Sequence, residues 1–208
     1  GKREELKRKI EGAMNISMAI AFPSAVGLAI LASPILNTIF PGHGDGGEIL
    51  SYCSVAIPFM AITQTSTSVL QGTGKYVMPV INLLIGCVVK IITTIILVPD
   101  VSFGINGAAI GTILGYIVTV VLNLIYLGLS TKSKINYIKI FTKNIITSGI
   151  MGIFVYVVYN KLKENISVVP VITLISIGIG VIIYTLLVIA FGVVDISEVK
   201  KKVKRRRA

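Results

Sequence analysis

Lys90 is the one basic residue deep inside a long apolar stretch, and its type and place could do chemistry. The stretch runs from Val77 to Val98. At a helical rise of about 1.5 Å per residue, Lys90 lies roughly 12 Å from one end and about 20 Å from the other. A lysine at that depth costs at least about 2.5–3.5 kcal/mol, so it must face a partner or a water-filled cavity. Three readings stay open. It bonds a carbonyl or amide of a neighbouring helix, it offers a fixed positive charge to an anionic ligand, or it is a neutral amine in a proton relay. Asn82 and Gly86 precede it at four-residue intervals and share its helix face, which makes one polar stripe. Depth alone makes Gln64 and Gln71, on the preceding stretch, the residues expected to face it. Lys90, Gln64, Gln71 and Asn82 are the candidate substrate-binding set.

Other chemistry has little to stand on. The chain has nine Asp and Glu, and none is deep in an apolar stretch. No pair of carboxylates is placed for acid–base work or to hold a divalent ion. GxSxG, HExxH and P-loop patterns are missing, and Gly72-Thr73-Gly74-Lys75 lacks the spacing and the Ser or Thr of a P-loop. Cys53 and Cys87 read as small packing residues, and His43 as a loop residue. No cofactor, metal or enzymatic activity is expected.

Six stretches of about 20 residues or more must position these side chains, each long enough to cross roughly 30 Å of hydrocarbon. They run 13–40, 49–70, 77–98, 105–129, 140–159 and 168–194. All but three of the 20 Lys and Arg lie before the first stretch, between the second and third, around the gap between the fourth and fifth, or after the sixth. The other gaps hold only Lys161 and Lys163. Excess Lys and Arg mark cytoplasmic loops, so both ends are expected in the cytoplasm of a multi-pass, inner-membrane-type protein. The fold class is all-α. A 54% hydrophobic content does not suit a soluble domain of this size, and a net charge of +11 placed beside apolar spans points to anionic lipids, not nucleic acid.

The expected organisation is a charged lead-in helix (1–12), four transmembrane helices (13–130), a basic loop (131–139), two additional helices (140–194) and a polybasic tail (195–208). Pro23 and Pro34 interrupt the first span and Pro58 the second. The polar run ITQTSTSVLQ covers every side of the second helix, so that half is expected to face other helices or a wet cavity. Gly107, Gly111 and Gly115 stack on one face of the fourth helix and would let another helix approach closely. The fifth and sixth spans read as nearly featureless packing helices. The chain starts without Met inside a charged segment, and is expected to be the carboxy-terminal part of something longer.

A family resemblance rests on residues 70–127, LQGTGKYVMPVINLLIGCVVKIITTIILVPDVSFGINGAAIGTILGYIVTVVLNLIYL. LQGTGK after a polar span, GCVVKI with Lys90, a Pro-Asp turn and GINGAAIGT resemble the carboxy-terminal half of polysaccharide-exporter flippases. These belong to the multidrug/oligosaccharidyl-lipid/polysaccharide superfamily. The stage V sporulation protein B group, related to MurJ-type lipid II flippases, is the most similar. The resemblance implies a MATE-like fold of two six-helix lobes, some members carrying two extra helices. This chain would supply the ninth to fourteenth helices, and the missing amino-terminal helices would be its partners. It further implies alternating-access transport of a lipid-linked sugar such as lipid II or another polysaccharide precursor. The alternative is a MATE-type drug or metabolite antiporter, which would favour acidic cavity residues. A membrane enzyme or a non-transporting scaffold are the readings of other classes.

Overall fold

The computed structural model describes residues 2–42, 44–131, 135–166 and 168–192. The polybasic run after residue 192, His43 and part of the basic loop lie outside the described residues. Among the described residues seven α-helices occupy Lys2–Ile30 (α1), Ala32–Ile39 (α2), Gly47–Gly72 (α3), Val77–Leu97 (α4), Asn106–Thr131 (α5), Tyr137–Asn165 (α6) and Val169–Ala190 (α7). Six of them are long and apolar enough to cross a membrane, and among the described residues there is no strand. The shortest, α4, has 21 residues, about 31 Å at the helical rise, so it just spans the hydrocarbon. The chain is a multi-pass membrane protein.

The first span differs from its expected bounds. The lead-in is continuous with α1, because nothing between Lys2 and Ala13 breaks a helix. The helix instead stops at Ile30, and α2 follows after Leu31. Pro34 explains the break: it has no N–H for the Ile30 carbonyl, and the ladder restarts with Ile35 N–H on Leu31 at 2.8 Å. The lead-in is amphipathic. Ile10 and Met14 are buried against Leu70 and Leu127, while Lys9 pairs with Glu5 on the exposed side at 2.7 Å. Glu11 accepts from Asn136 N–H at 3.3 Å, which ties the lead-in to the start of α6. The turn after α3 closes on Gly74 at φ +81, and Lys75 N–H reaches the Leu70 carbonyl at 2.9 Å.

Helix neighbours follow the order α4, α5, α3, α1, α6, α7, with α2 against α3 and α7. Three apolar cores stack along the bundle. Ile10, Met14, Leu70 and Leu127 fill the basic end, Met18, Ile62 and Val120 the middle, and Leu31, Met151 and Val155 the region towards the far end.

Candidate functional site

Helices α4 and α5 meet backbone to backbone. A Cβ at Gly107 would lie 2.8 Å from Leu97, one at Gly111 2.5 Å from Thr94 Oγ1, and one at Gly115 2.7 Å from the Gly86 carbonyl. At Gly86 it would strike the Thr119 hydroxyl. Glycine on both helices thus sets the approach, and any larger side chain must push the helices apart.

Beside this contact three helices share one buried polar knot. Asn82 Nδ2 donates to Asn123 Oδ1 at 2.9 Å, and Asn123 Nδ2 donates to Ser66 Oγ and Thr67 Oγ1, both at 3.2 Å. Asn123 and Ser66 are fully buried. Thr119 turns its hydroxyl back to the Gly115 carbonyl at 2.9 Å, so it leaves no free donor in the seam. Among the candidate set, Asn82 is therefore engaged with α5.

Lys90 emerges from the same α4–α5 seam. Its Cβ packs where Gly115 leaves room, its side chain is exposed, and its amine has no hydrogen-bond partner among the described residues. It lines a cleft of about 80 Å³ with Cys87, Thr112, Tyr116 and Thr119. That is room enough for water or one small polar group. Gln64 and Gln71 are exposed on α3 and, seven residues apart, share a face. They do not touch Lys90: α5 packs between α3 and α4, and no hydrogen bond links either glutamine to the lysine among the described residues. The polar run on α3 divides accordingly. Ser66 and Thr67 turn to the knot, Thr65 Oγ1 donates to Ser17 Oγ on α1 at 2.7 Å, and the glutamines stay open.

The fifth and sixth spans are less plain than their sequence suggests. Asn144, Thr147 and Ser148 on α6 and Ser176 on α7 are fully buried. Asn144 Nδ2 donates to Asn15 Oδ1 on α1 at 3.0 Å. The Tyr184 hydroxyl donates to the Ala19 carbonyl of α1 at 2.7 Å. Sequence reasoning missed Asn123, Asn144 and Tyr184. Asn123 had a signal, since it continues the Gly107, Gly111, Gly115, Thr119 series at the same four-residue interval. Tyr184 had none, because its partner is 165 residues away. No group of His, Cys, Asp and Glu that could hold a metal occurs among the described residues.

Comparison with known proteins bears on this bundle directly. The family model described as "Lipid II flippase MurJ" matches residues 1–176. The lipid II flippase MurJ of Bacillus subtilis is 31% identical over 169 residues, covering 76% of this chain and 30% of that protein. An uncharacterized membrane protein of Methanocaldococcus jannaschii is 26% identical over 202 residues, covering 96% of this chain and 38% of its own length. A solved structure of lipid II flippase MurJ in an inward closed conformation superposes with a TM-score of 0.73 at 26% identity, over 91% of this chain and 40% of that one. The chain thus spans about a third of the length of the curated relatives that it matches. The family match extends across most of the sequence and the bundle superposes on a lipid II flippase structure, so the chain belongs to the MurJ lipid II flippase family.

Proposed function

We propose that this chain forms part of the second lobe of a flippase, which moves lipid II or a related lipid-linked oligosaccharide across the cytoplasmic membrane by alternating access. The family match over residues 1–176 carries the reading, and the fold of a lipid II flippase structure supports it. Helices before α1 complete the lobe and supply the other. The basic end of the bundle faces the cytoplasm, as the distribution of Lys and Arg favours. The polybasic tail, residues 200–207, holds anionic lipid there at roughly 1 kcal/mol per basic residue near the surface.

Lys90 is the residue proposed to meet the substrate. An exposed, unpaired amine at mid-membrane depth supplies positive charge to an anionic head group such as a pyrophosphate. Gln64 and Gln71 line the open face of α3 and add uncharged donors; Asn82 serves the site by holding α4 to α5. The group acts by binding and orientation, and no bond is made or broken. A MATE-type antiporter for cations has less support, because Lys90 would repel a cationic substrate.

Complementation tests both levels. The intact protein should rescue a strain depleted of its lipid II flippase, and failure with the protein present in the membrane would move the substrate to another polymer. Lys90→Ala should abolish rescue at unchanged membrane levels, whereas Lys90→Arg should retain part of it. Full rescue by Lys90→Ala would remove the binding role.

A further inference from the structure

Pro23 lies inside α1 and has no N–H, so the helix cannot satisfy the carbonyl four residues earlier, which belongs to Ala19. That carbonyl sits in a membrane-crossing helix, where an unpaired backbone group costs several kcal/mol and neighbouring helices must replace the lost bond. The structure shows the replacement. Tyr184 Oη on α7 donates to Ala19 O at 2.7 Å, beside the hydroxyls of Thr147 and Ser148 on α6. The ring is held in place by the Leu31, Met151 and Val155 core. Ser24 adds a second local correction, with its hydroxyl on the Ile20 carbonyl at 2.7 Å.

We infer that Tyr184 is a positioning residue: its hydroxyl stands in for the hydrogen bond that Pro23 removes, and so fixes the bend of α1 from the additional helix pair. The turn at Pro23 is where α1 can bend. An apolar hollow of about 470 Å³, lined by Ala19, Pro23, Gly27, Gly180 and Tyr184 among others, lies against the weakened turn and leaves space for a different bend. Gly27 and the break at Leu31 loosen the same half of the helix. This side-chain-to-backbone bond ties α7 to α1, and through it a change at α7 reaches α1, which packs on α3, the helix that carries the open glutamines.

A double-mutant cycle isolates this bond, because Pro23→Ala restores the missing N–H and makes the tyrosine hydroxyl redundant. The experiment uses the intact protein in lipid nanodiscs, with Cys53→Ser and Cys87→Ser. Spin labels are placed at Ile16→Cys and Ile39→Cys, exposed positions on either side of the proline. Tyr184→Phe should broaden or shift the label-to-label distance distribution and lower the thermal unfolding midpoint. In the Pro23→Ala background the same change should alter neither. If Pro23→Ala fails to fold, Pro23→Gly restores the same N–H. An unchanged distribution and midpoint for Tyr184→Phe would overturn the inference, as would an equal effect in both backgrounds, since the hydroxyl would then act through another partner such as Ser148 or Thr147. Neither readout depends on transport, so the outcome is separable from that of the flippase reading.

Discussion

The α4–α5 seam and the α1–α6–α7 seam join helices in different ways. The first brings backbones together by removing side chains: Gly86, Gly107, Gly111 and Gly115 leave no room between the helices. The second sets its glycines only against side-chain ends, Gly152 on Val26 and Gly180 on Val155, and joins α1 to α6 and α7 through polar atoms. Asn144 bonds Asn15, and Tyr184 bonds a carbonyl that Pro23 left open. The first contact is steric and unforgiving. The second is a set of single bonds, some incomplete: Ser176 Oγ and Asn144 Oδ1 are buried without a partner among the described residues, as is Thr94 Oγ1 in the first seam. Van der Waals packing dominates helix association in lipid, and interhelical hydrogen bonds average well below their expected strength. The α4–α5 pair should therefore move as one body that carries Lys90, while α1 and α7 can adjust.

That contrast breaks most severely if a side chain enters the glycine seam. Gly115→Val should cost about 1–3 kcal/mol or separate the helices, because its Cβ already meets the Gly86 carbonyl. Loss of the folded monodisperse peak in detergent would show it, and a stable variant would mean that the seam yields. Asn123→Leu tests the knot beside it. It removes three hydrogen bonds and leaves the Asn82 side-chain amide unpaired, while Ser66 keeps its bond to the Thr63 carbonyl, so unfolding should be easier by about 1–2 kcal/mol.

The other seam should tolerate the loss of atoms that bond to nothing. Ser176→Ala removes an unpartnered hydroxyl, and the unfolding free energy should change by less than about 0.5 kcal/mol. A larger loss would show that the hydroxyl has a partner in the membrane. The smallest perturbation is chemical labelling. Cys87 shares the Lys90 cleft, so a water-soluble maleimide should label it in the Cys53→Ser protein if the cleft is wet. Absence of labelling would place that face of α4 in lipid and weaken the case for Lys90 as a binding charge.

Much of this molecule is legible one segment at a time. Hydropathy and length set the six spans, because a crossing helix must satisfy its backbone within itself and bury its own side chains in lipid. Lys90 announces itself by its cost at that depth. The four-residue interval marks the glycine face, since helical period is a local property. Residues 2–12 were readable as helical but not as buried on one side, because Ile10 finds its cover on α3 and α5.

What the sequence alone determined is therefore the class, the spans, the glycine face and the isolated charge. Only the tertiary structure decided which polar side chains meet. Placing α5 between α3 and α4 turned Asn82 and Ser66 inward on Asn123 and kept Gln64 and Gln71 away from Lys90. Packing α7 against α1 brought Tyr184 to Ala19 across 165 residues. Helix order and rotation in a membrane come from close packing between helices that are all apolar, and no local pattern in one helix names its partner.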